Sequence, residues 1–139
     1  MARILLIATL IALAGCVQIP PSPEEIQSKK FESLPDKAVI YIVRNSMDSW
    51  ESGSLLLDDT APITTYRNTY YRWEVAPGSH RIAGFAGDHS LLNLDTRAGA
   101  VYYVEYTVHG TPWTPQAFTK LRPVDERLGR RLVQGARLL

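Results

Sequence analysis

Between residues 38 and 122 the chain breaks into eight short runs rich in β-branched and aromatic residues, and the gaps between them are too short to hold a helix. The runs are 38–44 (AVIYIVR), 54–58, 63–66, 69–76 (TYYRWEVA), 79–86, 90–97, 100–109 (AVYYVEYTVH) and 116–122. Pro77-Gly78, Gly87-Asp88 and Ala98-Gly99 punctuate them as turns. A parallel neighbour needs a crossover of a dozen or more residues, so successive runs are expected to reverse direction. The resulting fold class is mainly β, an antiparallel sandwich of about eight short strands.

Alternation assigns the faces. In 69–76, Tyr71, Trp73 and Val75 share one side, and Tyr70, Arg72 and Glu74 share the other. The first side is expected in the core and the second in water. By the same reasoning Tyr102, Val104, Tyr106 and Val108 point in, while Val101, Tyr103, Glu105 and Thr107 point out. The tyrosines therefore read as sheet material rather than as a stacking platform for a ligand.

After Pro123 the period changes. Val124, Leu128, Leu132, Ala136 and Leu139 fall four, four, four and three apart, one stripe of a helix. Asp125 suits the N-cap, and Arg130, Arg131 and Arg137 suit the negative end of the helix dipole. Gly129 and Gly135 each weaken such a helix by about 1 kcal/mol. It is expected to gain its stability by docking on the sheet, since its narrow stripe lacks the bulky aromatics of a lipid-surface anchor.

The N-terminus reads as an address. One charge, Arg3, precedes the uncharged run ILLIATLIALA over 4–14, which is shorter than the roughly 20 residues a membrane-spanning helix needs. The run ends in Leu13-Ala14-Gly15-Cys16, which resembles the bacterial lipobox, so 1–15 is expected to be a lipoprotein signal peptide and Cys16 the lipidated residue. Several acyl chains hold a protein firmly in a leaflet. Val17 follows where an aspartate would favour retention in the inner membrane, which implies a cell outer membrane address facing the periplasm. Residues 16–35 hold four prolines and no sustained apolar period, and read as a tether able to extend some 60 Å as polyproline II. The alternative is that Ile26, Phe31 and Leu34 form a short helix packed on the domain. The folded domain is then 36–139.

Several of these segments resemble the bacterial lipoproteins of domain-of-unknown-function family 2846. The likeness is carried by Phe31, the strand Lys37-Ala38-Val39-Ile40-Tyr41-Ile42-Val43-Arg44, Val75-Ala76-Pro77-Gly78-Ser79-His80, Ala98-Gly99-Ala100-Val101-Tyr102-Tyr103-Val104 and Pro123-Val124-Asp125-Glu126. The resemblance implies a lipid-anchored, mostly β envelope domain and brings no activity. One departure is Asp58-Asp59 where the family tends to show Asp-Gly, so that turn is expected to be longer or of another type.

Composition excludes several functions. Lys and Arg number 15 against 14 for Asp and Glu, and loss of a segment with Arg3 balances them, so no net charge steers the chain to nucleic acid. A single cysteine leaves no disulfide and no cysteine-built zinc site. His80, Asp88, His89, Asp95 and His109 show no metal-ligand spacing, and no serine lies in a nucleophile motif. His80 reads as a solvent-facing or hydrogen-bonded strand histidine, and Asp88-His89 as a turn. Arg67, Arg72 and Arg81 are placed to cluster across neighbouring strands as a solvated sheet face. Neither a catalytic residue, a metal nor a cofactor is expected.

What remains is binding. If each run reverses the chain, the connections 45–53, 67–68, 87–89 and 110–115 all emerge at one end. That end collects Met47, Trp50, Arg67 and Trp113 as candidate partner-binding residues. The favoured reading is that Trp50 and Trp113 fold back to plug the core; the functional one is an exposed patch offered to an envelope protein or a glycan. The expected function is a non-catalytic binding or structural module of the envelope. The alternatives are a small envelope hydrolase or lipid-modifying enzyme, or an accessory or inhibitor subunit of a secretion or surface-assembly system.

Overall fold

The computed structural model describes residues 19–110, 113 and 116–139, so residues 1–15, expected to be a signal peptide, and Cys16 lie outside the described residues. Among the described residues are nine strands: β1 Ala38–Val43, β2 Gly53–Leu57, β3 Ile63–Thr65, β4 Thr69–Val75, β5 Gly78–Ala86, β6 Asp88–Thr96, β7 Val101–His109, β8 Phe118–Val124 and β9 Arg137–Leu138. Helices α1 (Pro23–Ser28) and α2 (Glu126–Gly135) flank them. A five-stranded sheet has the order β8-β7-β1-β4-β9 and a four-stranded sheet the order β3-β2-β5-β6.

The expected sandwich forms, with Ala38, Ile40, Ile42, Leu55, Leu57, Ile82, Val104, Tyr106 and Val108 as its inter-sheet core. Not every pair is antiparallel, however. β1 lies parallel to β7, and β4 parallel to β9. The spacing argument governs strands adjacent in sequence. The chain between β1 and β7 instead runs through β2 to β6, which is ample length for a parallel return.

The outer face of the five-stranded sheet, expected wet, carries a second core. Every residue of β1 is buried, because Val39, Tyr41 and Val43 face this side and are covered as well. Tyr70 and Tyr103 join them, with Phe31, Val133 and Ala136 as the covering layer. The Tyr41 and Tyr103 rings stack with centroids 5.5 Å apart, and the Phe31 ring sits 5.4 Å from Tyr41.

This covering layer corrects the expected tether. Ser22 caps α1 by accepting from the Glu25 amide at 3.1 Å, Pro23 enters at the first turn, and Glu24 and Glu25 suit its positive end. Tyr41 Oη donates to the Ser28 carbonyl, and Ser28 Oγ bonds Tyr70 Oη, both at 2.5 Å. Lys29 Nζ donates to the Ala136 carbonyl at 2.7 Å and ties α1 to the end of α2. The alternative reading therefore holds in part: Phe31 is buried and Leu34 packs beside it, but Ile26 is exposed.

α2 docks with Asp125 as its cap, accepting from the Leu128 amide at 2.9 Å. Its buried centre is Gly129, Val133 and Ala136, flanked by half-buried Leu128 and Leu132 rather than centred on them. A Cβ at Gly129 would stand 2.2 Å from the Tyr103 ring, so this glycine sets how closely the helix sits. The connection at Asp58-Asp59 is longer than a two-residue hairpin, as expected, with residues 58–62 between β2 and β3 and a tight turn at its start. Both residues have positive φ (48° and 59°) and the Thr60 amide donates to the Leu57 carbonyl at 3.0 Å, a type I′ geometry held by Asp59 where glycine is usual.

Candidate functional site

The four connections counted to one end meet there. Ser49 Oγ donates to the Gly110 carbonyl at 3.0 Å and the Asn68 amide to the Asn45 carbonyl at 3.3 Å. Gly87 abuts Ala117, leaving no room for a Cβ.

The longest of these connections, between β1 and β2, is organised by a residue that sequence reasoning took as the last of an apolar strand. Arg44 is 1% exposed. Its Nε donates to Asp48 Oδ2 at 2.9 Å, its Nη1 to the Thr65 carbonyl at 3.1 Å, and its Nη2 to the Ser49 and Glu51 carbonyls at 3.0 Å each. The Asp48 carboxylate in turn accepts from the Val108 amide at 3.0 and 3.1 Å and from the Ser49 amide at 2.8 Å. One buried ion pair thus stitches the loop to β3 and β7. The only sequence signal was an arginine and an aspartate four apart across a strand end.

The loop so held presents its apolar side chains outward. Met47 is 89% exposed and Trp50 79%; Trp113, in the separate connection between β7 and β8, is 92% exposed. The Arg67 guanidinium lies over the Trp50 ring, 3.0 Å from its centroid, as a cation–π pair. The plug reading is overturned: the end of the core is filled by Tyr106 instead. Its ring fills the space over Gly53 and Gly84, where a Cβ would come within 2.5 Å of it, and its Oη donates to the Phe85 carbonyl at 3.2 Å. Burial pushes that phenol up to about 12, so it stays neutral. Beside Met47 a cleft of about 420 Å³ opens between the loop and β7, lined by Asn45, Ser49, Thr107 and His109.

The remaining candidates do not converge. His89 stacks on Phe85, and Asp88 accepts from the Thr119 amide and hydroxyl at 2.7 and 3.0 Å, clamping β6 to β8. Arg67, Arg72 and Arg81 separate: the first lies on Trp50, the second pairs with Glu74, and the third reaches Asp59 on the other sheet. Asp95 sits opposite Ser79 in the β5–β6 ladder. Among the described residues no group of three or more His, Cys, Asp or Glu side chains is placed to hold a metal ion.

His80 is occupied structurally. Nδ1 meets Asp58 Oδ2 and Nε2 meets the Ala76 carbonyl, both at 2.7 Å, and Trp73 packs edge-on at 5.3 Å. Two acceptors require two ring N–H groups, which only the imidazolium has. Desolvation opposes that charge, but the Asp58 carboxylate and Ala76 carbonyl outweigh it and hold the ring above the usual 6.5. A folded value above the unfolded one stabilises the domain fully below about pH 6.5, and the contribution fades as pH rises through the folded value. Melting wild type against His80→Asn from about pH 5 to about pH 9 should show the gap widest in acid and narrowing in base. A gap that widens with pH would show a neutral ring.

Neither a family model nor a curated protein matches this chain.

Proposed function

We propose that this chain is a lipid-anchored lipoprotein of the cell envelope, akin to family 2846, whose sandwich is a non-catalytic binding module presenting Met47, Trp50, Arg67 and Trp113 to an envelope partner. The observation that carries this reading is the Arg44–Asp48 pair. Dehydrating two charges is costly, and a loop that only joined two strands would need no such brace. Here the brace fixes a segment whose large apolar side chains face solvent, the pattern of a prepared contact surface.

The lipobox supports the anchor, and the docking of α1 changes its reach. Seven residue steps separate Cys16 from Pro23, at most about 25 Å of chain, so the domain works close to the leaflet and its partner is a neighbour there. Among the described residues no helix is long and apolar enough to cross a membrane. Cys16→Ser tests the reading directly. The variant should accumulate unprocessed or leave the membrane fraction in a carbonate wash. Normal processing with retention in the washed membrane would rule out Cys16 as the anchor.

A further inference from the structure

The outer edge of β4 is only partly covered. β9 pairs with Thr69 and Tyr70 alone. The direction of the remaining backbone groups follows from the ladder: the Arg44 amide donates to the Thr69 carbonyl, so odd-numbered residues of β4 turn toward β1, and the Tyr70 carbonyl, turned outward, accepts from Leu139 at 3.0 Å. The next outward amides and carbonyls belong to Arg72 and Glu74, and among the described residues no strand pairs with them. Natural sheet edges are usually blunted by proline, a bulge, a cover or charged side chains, and of these β4 has beyond Tyr70 only the paired charges of Arg72 and Glu74. Here the edge instead borders a groove of about 690 Å³ between β4 and α1.

The lining of that groove is selective. Pro23, Leu34 and Leu138 give it apolar walls; of its three carboxylates Glu74 is paired with Arg72 and, at 3.8 Å, with Lys37, which leaves Glu24 and Glu32 to give the groove its negative character. Side chains of an added strand would alternate between the helix side, where the carboxylates stand, and the inner side, where Tyr71 packs on the inter-sheet core. We propose that this edge takes an extended segment of a partner protein, with basic residues alternating with apolar ones, as a strand continuing the line of β9. The surface is separate from the loop end and does not depend on the reading given there. A second copy of this chain is disfavoured, because two such edges would bring acidic grooves together. Residues 19–22 of the chain itself include Pro20 and Pro21, which have no amide to donate.

The test uses the full chain in detergent and a capped seven-residue peptide of alternating valine and lysine as probe. Saturable binding is expected, with slowed amide exchange at Arg72 and Glu74. A peptide N-methylated at alternate residues should bind at least tenfold more weakly, since it cannot complete the ladder, as should a valine–glutamate peptide. The Glu24→Gln, Glu32→Gln double variant, both sites exposed, should stay cooperatively folded with only a small drop in Tm from the weakened start of α1, and lose about tenfold in affinity. Three results would each overturn the proposal: no saturable binding, undiminished binding of the N-methylated peptide, or protection of Arg72 and Glu74 that tracks protein concentration without peptide. The last would assign the edge to a second copy.

Discussion

Asp48→Ala should cost the domain about 3–5 kcal/mol, because it strands the Arg44 guanidinium in a site that is closed to water. The Val108 and Ser49 amides lose their acceptor at the same time. For a domain near 100 residues such a loss lowers Tm by well over 10 °C. The loop should also loosen, so that emission from Trp50 depolarises faster. Denaturant melts of the variant give the energy. A loss below about 1 kcal/mol would place the pair in solvent and remove the brace from the account.

Gly129→Ala separates two views of the tail by sign. On helix propensity alone the substitution adds about 1 kcal/mol of stability. In the folded domain the new methyl meets the Tyr103 ring, which is 3% exposed and stacked on Tyr41, so it has nowhere to move. Overpacking of this kind costs about 1–3 kcal/mol, and the net change should be destabilising. Gly135→Ala is the control. No atom stands within 4 Å of a Cβ there, so stability should hold or rise slightly. A stabilised Gly129→Ala would show that α2 is not seated on Tyr103.

Much of the fold was legible because its signals are local. Alternation in TYYRWEVA and AVYYVEYTVH placed Trp73, Val75, Val104, Tyr106 and Val108 on the inter-sheet side, where they are found. Strand reversal alone brought Met47, Trp50 and Arg67 to one end. What escaped depends on contacts distant in sequence. Tyr70 and Tyr103 sit on a face that alternation marks as wet, and they are buried because α1 and α2 lie over them. The run AVIYIV carries no charged residue at either parity, a signal of cover on both sides that the alternation of the other strands did not bring out. Gly129 looked like a weakness and is a close contact. Arg44 looked like a strand end; its carbonyl partners at Ser49, Glu51 and Thr65 have no pattern in sequence, so the brace emerges only once the loop is folded. Trp50 and Trp113 were expected inward because the end of the core needed filling, and the space over Gly53 and Gly84 is taken by Tyr106.

The central claim is that the braced loop end meets a neighbour in the envelope, and site-specific photocrosslinking in intact cells tests it most directly. A photoreactive side chain at position 50 should give one discrete adduct, diminished by Met47→Ala, while the same group at Ala98, at the opposite end, gives none. Equal labelling from both positions, or an adduct from Ala98 alone, would contradict the account.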